Sequence, residues 1–544
     1  NHVFAYNFGG GQSMEWYWPG SMNGTTGYSE GTRDSFRLWL RQKYNTDARL
    51  QKAWNDNKVT LETALVPSVE TRAKVDIPPF LDVTKSRPEI DFRQYMTDTT
   101  VRYIRESARI IKQASNHKKL TVTYYGYGLQ GAGMPKLFNS GLQGFSRVIA
   151  DPNIDCLGQL NDYSYRRGGE AGQGISPFYA SARLHHKMLW MENDYRTDLA
   201  LPRYVNRTRD AAETISVVQR NFGETLVNGA GFWLRAFNNN WYHENPVMEA
   251  IANLKRVGDK SLSHDKTSVA QVAFIYDDEV PHYMGGGYNA FTRALGWGAY
   301  QNAVRMGAPY DFYLMNDFKN NAAKLPDYKM YVFLNAWRMD AKTRAAIAAK
   351  VKKRNAVAVW NYAPGYIDAD NNDQFSLDSM KSLTGFTFTA KNTTGPQNFQ
   401  WQEKTHPMMP LAEDTIDPQT IGVTFGVKDA KAKVLASTSV GGALAVKQLD
   451  GWRSVYSEIP LTSAMLQGLC DYAGVHIYSR SFDVLYADKS YVMLYTSSAG
   501  KKTISLPKTA NVREVLSGQN IAHQVKQFSE QVPSDTARLY LLTE

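Results

Sequence analysis

Short apolar runs alternate with amphipathic segments through the first 262 residues. The runs predict five strands, at residues 3–8, 120–125, 154–160, 188–191 and 231–237. Apolar residues at helical spacing predict four helices, at residues 30–44, 91–115, 209–226 and 246–257. Strands that alternate with single helices are typical of a parallel sheet. Five such strands are too few to close an eight-stranded barrel by themselves.

The pattern changes twice further along the chain. After residue 262, buried strands such as residues 310–314 alternate with helices such as residues 341–352, which predicts a doubly wound, flavodoxin-like α/β domain. From about residue 476, short alternating strands follow one another, which predicts a small antiparallel β domain, a β-sandwich. We therefore expect three domains, at residues 1–262, 263–475 and 476–544.

Composition excludes several classes of protein. The net charge of +10 comes from scattered residues, whereas a nucleic-acid interface normally has a dense basic patch. The sequence has no run of about 18 apolar residues, the length that a membrane-spanning helix needs. The two cysteines form no CxxC pair, which excludes a cysteine zinc site and a disulfide scaffold, and we expect neither a metal nor a cofactor. The aromatic share of 12% fits sugar recognition and core filling equally well.

The first candidate catalytic residue is Glu15, in the sequence YNFGGGQSMEWYW at residues 6–18. A strand ends there, glycines turn the chain, and a carboxylate follows among aromatic residues. Partial burial raises a carboxyl pKa and suits a general acid. Alternatively, Glu15 caps the next helix or faces solvent. The glycines could also form a phosphate site, but they match neither GxGxxG nor GxxxxGK[ST], so the support for such a site is weak.

The second candidate is Glu192, which ends the apolar strand at residues 188–191. An ionised carboxylate at the end of a strand suits a nucleophile, and Arg196 is a candidate partner that would keep it ionised. A purely structural Glu–Arg pair is the alternative. If two catalytic carboxylates lie about 5 Å apart, a glycoside is cleaved with retention, whereas a wider gap means inversion.

Polar and aromatic residues follow the ends of the other strands as well. Together they predict a ring of hydroxyl-binding groups and stacking platforms around the two glutamates. The candidate substrate-binding residues are Tyr6, Asn7, Gln12, Trp16, Trp18, Tyr125, Asp162, Tyr163, Tyr165, Arg166, Asn193, Arg196, Trp233, Arg235 and Trp241.

Several of these segments resemble the family 42 β-galactosidases. The resemblance is carried by residues 9–16, by the F-x-x-WL-x-x-KY helix at residues 36–44, by MLWME at residues 188–192, by FWLR at residues 232–235, and by residues 273–278 and 325–335. It implies a TIM barrel, an amidotransferase-like trimerisation domain and a C-terminal β domain. It further implies that Glu15 is the acid/base and Glu192 the nucleophile of a retaining enzyme that removes terminal β-linked galactose from oligo- or polysaccharides, acting as a trimer or dimer.

The sequence departs from the family pattern in three places. Met14 stands where the family has an asparagine, the zinc-binding cysteine cluster is missing, and residue 1 would lie at the start of the fourth barrel strand. We therefore expect a further N-terminal segment to complete the barrel. Cys470 lies on a late helix rather than at a strand-to-helix elbow, so we expect the second domain to serve assembly rather than catalysis.

Other functions stay open at this point. Arg166, Arg167, Arg196 and Arg235 near strand ends would suit an acidic β-glycoside such as a uronide, and mannosides and arabinopyranosides are further options. A non-catalytic glycan-binding relative is the alternative from a different class. The sequence does not fix the compartment, although glycan processing favours the periplasm or the cell exterior.

Overall fold

The structure is a computed structural model. It describes residues 3–22, 24–73, 78–131, 139–237, 240–285, 290–393, 398–403, 405–408 and 422–544. Within these ranges, no helix is long and apolar enough to cross a membrane. Three main sheets organise the chain: a parallel sheet of five strands, a mixed sheet of ten strands and an antiparallel sheet of five strands.

The first sheet is parallel throughout and holds its strands in chain order. The strands are β1 (Ala5–Asn7), β2 (Leu120–Tyr124), β3 (Cys156–Leu160), β4 (Met188–Asn193) and β5 (Gly231–Leu234). Each strand pairs with the next in parallel register, as in Leu160 opposite Glu192 and Glu192 opposite Trp233. All five predicted strands are confirmed. Because the strands are parallel, their carboxyl ends meet at one edge, where Glu192 lies.

Helices cover this sheet and connect its strands. They are α1 (Glu30–Tyr44), α2 (Asp47–Trp54), α3 (Val69–Ala73), α4 (Val83–Ala114), α5 (Gly128–Gly131), α6 (Phe145–Ile149), α7 (Tyr179–Leu184), α8 (Ala211–Asn228) and α9 (Asn245–Ser261). Helix α4 begins earlier than predicted and contains a kink at Ser86, two residues before Pro88.

The WL-x-x-KY motif of α1 has a structural role. The buried Asp91 of α4 accepts hydrogen bonds from the Tyr44 hydroxyl at 2.7 Å and the Trp54 indole at 2.7 Å, and the Lys43 ammonium lies 2.8 Å away. Trp39 donates to Asp98 of the same helix at 2.8 Å. The motif therefore fixes α1 and α2 against α4 and places the loop between β1 and α1.

The second sheet is doubly wound at its centre and antiparallel at one side. Its parallel strands are β6 (Val272–Tyr276), β7 (Tyr310–Leu314), β8 (Met330–Phe333), β10 (Val357–Asn361) and β18 (Trp452–Ser457). Its antiparallel strands are β13 (Phe388–Asn392), β14 (Gln400–Trp401), β15 (Val423–Val427), β16 (Lys433–Ser437) and β17 (Gly442–Leu449). A separate three-stranded sheet consists of β9 (Arg338–Met339), β11 (Ile367–Asp368) and β12 (Gln374–Phe375).

Helices flank this second sheet too. They are α10 (Ala290–Arg293), α11 (Ala299–Ala303), α12 (Met315–Asn321), α13 (Ala341–Lys352), α14 (Leu377–Thr384) and α15 (Ser463–Ala473). A π-helical turn, Ala294–Gly298, separates α10 from α11. One continuous core joins Leu157 and Met191 of the first sheet to Val272 and Phe312 of the second, so the predicted boundary near residue 262 stays a prediction.

The C-terminal strands form one antiparallel sheet, where two sheets of a sandwich were predicted. They are β19 (Val484–Ala487), β20 (Tyr491–Tyr495), β21 (Gly500–Glu514), β22 (Asn520–Val532) and β23 (Ala537–Thr543). The second layer over one face is helix α8 instead. Phe222 of α8 shares a core with Met493 of β20, and a side chain at Gly223 would clash with Met493.

Candidate functional site

The candidate site lies at the carboxyl ends of the parallel strands of the first sheet. The loop after β1 supplies Glu15, β2 and the turn after it supply Tyr124 and Tyr127, and β4 supplies Glu192. Arg235 follows β5 directly. In parallel α/β folds this edge of the sheet is where active sites form, so the fold itself brings the two predicted glutamates together.

Glu192 is buried and holds two donors. The Tyr124 hydroxyl donates to Oε2 at 2.7 Å, and Arg235 Nη1 donates to Oε1 at 2.8 Å. The side chain of Arg235 is 45% exposed, while that of Glu192 is 2% exposed. A carboxylate with a donor on each oxygen is held in one orientation. The predicted partner Arg196 binds Asp194 instead, at 2.7 Å.

A tight loop presents Glu15 towards these groups. Gln12 and Tyr17 pair as an isolated bridge, and Trp16 has a positive φ of 64°. The loop has no room for a Cβ atom at its glycines, as two of them illustrate. A Cβ at Gly10 would lie 2.5 Å from the Trp16 ring, and one at Gly11, whose φ is +62°, would lie 2.3 Å from the carbonyl oxygen of Tyr17. The glycine run therefore serves the turn.

Glu15 is partly buried, and burial raises the pKa of its carboxyl to about 7. The negative charge of Glu192 raises this pKa further, while a hydrogen bond from the Tyr127 hydroxyl at 3.1 Å and the charge of Arg235 oppose the rise. A carboxyl with a pKa near neutrality is matched to general acid–base work. Two carboxyl groups in different environments, one near neutral pKa and one paired with a cation, are the pattern of glycosidase catalysis.

A buried ionic cluster lies directly after Glu192 in the chain. Asp194 accepts hydrogen bonds from Tyr163 at 2.8 Å, from Arg166 at 3.1 Å and from Arg196 at 2.7 Å. The two guanidinium groups lie over the Tyr163 ring, at 4.4 Å and 4.7 Å from its centroid. The cluster fixes the end of β4, so Tyr163, Arg166 and Arg196 support Glu192 through the backbone.

Other predicted site residues lie near the carboxyl ends of the strands, and their side chains range from buried to exposed. Trp233 is partly exposed and packs against Trp190 at 5.6 Å between ring centroids. The Asn193 amide donates to the carbonyl oxygens of Met191 and Trp233, both at 3.2 Å. Residues on the β1 side are the buried Trp16, the partly buried Trp18 and Gln12, and the exposed Tyr6 and Asn7.

Three predicted site residues are buried in the structure. Tyr125 is buried and donates its hydroxyl to the carbonyl oxygen of Gly141 at 2.8 Å. Trp241 is completely buried, so its indole offers no face to a sugar. Asp162 is buried and accepts from Gln301 at 2.9 Å and from the backbone of Ser164. A position near a strand end does not decide which way a side chain points, so a role of these three residues in substrate binding stays a prediction.

Two site residues were missed by the sequence reasoning. Tyr124 and Tyr127 touch the two glutamates, whereas the predicted Tyr125 lies between them in sequence. Successive side chains of a strand point to opposite faces, and this alternation would have separated Tyr124 from Tyr125.

Tyr165 is 43% exposed and lines a different cleft, together with Arg293 and Arg305.

The four arginines considered for an acidic substrate are all engaged. Arg166 and Arg196 pair with Asp194, Arg167 pairs with Glu213, and Arg235 pairs with Glu192. The Arg235 side chain is nevertheless 45% exposed, and a guanidinium has five N–H donors. The alternative of an acidic β-glycoside such as a uronide therefore stays a prediction. Among the described residues, no group of three or more His, Cys, Asp or Glu side chains could hold a metal ion.

Comparison with known proteins supports the same reading of the fold. Residues 20–139 match the model of glycoside hydrolase family 42, described as beta-galactosidase. This range includes the α1 motif but neither Glu15 nor Glu192, so it leaves both catalytic assignments as predictions. No curated protein sequence matches the chain.

Solved β-galactosidases share the fold. The enzyme from Bacillus circulans sp. alkalophilus superposes with a TM-score of 0.64 at 15% identity over 95% of this chain and 77% of its own. The enzyme from the Antarctic haloarchaeon Halorubrum lacusprofundi gives 0.63 at 14% identity over 100% and 79%. A catalytic mutant of a family 42 enzyme from G. stearothermophilus gives 0.64 at 12% over 95% and 76%. The family match over residues 20–139 and the shared fold confirm the predicted resemblance to the family 42 β-galactosidases.

Proposed function

We propose that the protein is a retaining glycoside hydrolase that removes terminal β-linked galactose or a related sugar from oligo- or polysaccharides. One observation carries the proposal: a carboxyl group whose pKa is raised to about 7, Glu15, is electrostatically coupled to a buried carboxylate with a donor on each oxygen, Glu192. Resemblance to family 42 β-galactosidases supports galactose as the sugar.

The proposed reaction gives each group a role. Glu192 attacks C1 of the sugar and forms a covalent ester, while Glu15 donates its proton to the glycosidic oxygen and the leaving sugar departs. Glu15, now ionised, then accepts a proton from water, which attacks C1 and releases Glu192. Tyr124 and Arg235 hold Glu192 in the orientation for attack and stabilise its charge whenever it is free.

Covalent trapping tests the proposal directly. We expect incubation with an activated 2-fluoro galactoside to add one glycosyl group to the intact protein, and peptide mapping to place that group on Glu192. Glu192→Gln is the matched control, because it keeps the size of the side chain and removes the nucleophile. Turnover of galactosides without any trapped intermediate would indicate inversion, and sugar binding without turnover would indicate a non-catalytic relative.

We further propose that the five parallel strands are part of an eight-stranded barrel. In the part of the chain that the structure describes, β1 and β5 are the edge strands of their sheet. Next to the β1 edge, Val3 is 43% exposed and Phe4 is 75% exposed, and a long apolar edge is normally covered. We propose that N-terminal strands pair with this edge. We also propose that residues 263–475 mediate a homodimer or homotrimer. Residues 476–544 form the β domain in this proposal. Native mass spectrometry of the purified protein tests the assembly.

A further inference from the structure

The ion pair between Arg235 and Glu192 joins an exposed side chain to a buried one. Arg235 Nη1 lies 2.8 Å from Glu192 Oε1, yet the arginine side chain is 45% exposed and the glutamate side chain only 2% exposed. A long exposed side chain loses rotamer freedom when it is held in one geometry, and an ion pair open to water gains little in return. A second contact that restricts the guanidinium would therefore favour the pair.

Phe237 makes such a contact with the guanidinium of Arg235. The ring centroid of Phe237 lies 4.5 Å from Arg235 Cζ, within the range of a cation–π interaction. The same centroid lies 5.6 Å from Cζ of Arg196, which pairs with Asp194. One aromatic ring is thus close to the cation that binds Glu192 and to a cation that binds the carboxylate two residues further along the chain.

Trp241 supports the ring of Phe237 from the interior. The two rings meet edge to face, with 5.9 Å between their centroids and 61° between their planes, and Trp241 is completely buried. Tyr204 packs against the same indole at 5.7 Å, and the Thr197 hydroxyl donates to the backbone carbonyl oxygen of Trp241 at 2.7 Å. Phe237 is 47% exposed, so its position depends on this buried neighbour.

We propose that Phe237 is a positioning residue, which holds the guanidinium of Arg235 against Glu192 through a cation–π contact. Trp241 is the buried support of the ring. The catalytic consequence rests on the function proposed above, because Glu192 is the nucleophile only in that reaction. The contact between the ring and the guanidinium does not depend on that function.

Two measurements on Phe237→Leu test this inference. The first is the rate at which phenylglyoxal modifies Arg235 in the sugar-free protein, followed by peptide mapping. Leucine is apolar but has no π face, so Arg235 should react about three- to tenfold faster, the range expected for the loss of one cation–π contact. The second is the rate of glycosyl-enzyme formation with the 2-fluoro galactoside, which should fall by a similar factor. Phe237→Tyr keeps the ring and should stay close to the wild-type protein in both measurements.

Tyr472→Leu is the matched control. Arg453 lies over the Tyr472 ring, 4.9 Å from its centroid, and Tyr472 belongs to helix α15 of the second sheet. This variant removes an arginine–aromatic contact away from the site, so both rates should stay unchanged.

The outcomes separate this inference from the function on which it rests. Unchanged reactivity of Arg235 in Phe237→Leu would overturn the inference, and a raised KM in that case would show a ring that stacks on the sugar instead. An unchanged rate of glycosyl-enzyme formation in an active enzyme would also overturn it. Faster modification of Arg235 in a protein whose wild type forms no glycosyl enzyme would support the contact and overturn the proposed function.

Discussion

The pKa of Glu15 depends on a hydrogen bond from a tyrosine hydroxyl, which a phenylalanine substitution would remove. The Tyr127 hydroxyl donates to Glu15 Oε1 at 3.1 Å and stabilises the ionised form of the carboxyl. A hydrogen bond to a charged group contributes about 1.5–3 kcal/mol, and 1.36 kcal/mol corresponds to one pKa unit. Because burial and the charge of Glu192 already raise the pKa to about 7, Tyr127→Phe should raise it by about one further unit, to about 8.

The sign of this shift is visible in the pH dependence of kcat/KM. Glu15 must be protonated to act as the acid, so activity falls as the pH rises through its pKa. We expect the alkaline limb to lie near pH 7 in the wild-type protein, where the pKa of Glu15 is about 7, and about one unit higher in Tyr127→Phe. Methyl β-galactoside is the substrate of choice, because its poor leaving group needs the proton. A dinitrophenyl galactoside should show a weaker limb.

Tyr125→Phe is the matched control for this experiment. Its hydroxyl bonds to the backbone of Gly141 and Gly144 and does not touch Glu15, so its removal should lower stability and leave the alkaline limb in place. A limb that stays at the same pH in Tyr127→Phe, or moves to lower pH, would refute the reasoning that the hydroxyl stabilises the Glu15 carboxylate.

Three further changes test other parts of the structure. Tyr124→Phe removes the donor to Glu192 at 2.7 Å and should lower kcat/KM by about 10- to 100-fold with an unchanged far-UV spectrum. Arg166→Met leaves the buried Asp194 with one cation fewer and should cost about 3–5 kcal/mol in urea unfolding. Desolvation raises the pKa of the buried Glu458 to about 8. The stability that the protonated carboxyl contributes is fully present below its unfolded pKa and is lost as the pH rises towards 8. The wild-type protein should therefore lose stability across that window, by at most about 1.4 kcal/mol per pH unit, and Glu458→Gln should remove this slope.

The sequence predicted those parts of the fold whose burial is uniform. Strands of a covered parallel sheet read as continuous apolar runs, which is why β7 was predicted with its observed bounds. Helix α13 was also predicted with its observed bounds. The short strands predicted from about residue 476 differ from the long strands β21 and β22. Strand β22 is largely exposed and polar over Asn520–Val532, and the pairing of β21 with β22 is irregular. The register of such a hairpin is set by its partner strand rather than by a hydrophobic pattern.

The candidate site was predictable to the level of strand ends and not to the level of individual contacts. Glu15 and Glu192 follow strands whose ends converge in any parallel sheet, so their proximity follows from topology. The partner of Glu192 does not, because Arg196 and Arg235 both follow strand ends, and only the packing of Asp194 decides that Arg196 turns away. The buried Asp194, two residues along the chain, therefore selects the cation that pairs with Glu192.

The electrostatic coupling between the two glutamates explains how one carboxyl could serve both steps of the proposed reaction. Before attack, the charge of Glu192 raises the pKa of Glu15 and keeps its proton available. Formation of the glycosyl ester removes that charge, while Arg235 keeps its own charge and favours ionisation of Glu15. The pKa of Glu15 therefore falls when a base is needed, and it rises again when water releases Glu192. In the proposed reaction, Arg235 therefore positions Glu192 as the nucleophile, and the change in the charge of Glu192 sets the timing of proton transfer at Glu15.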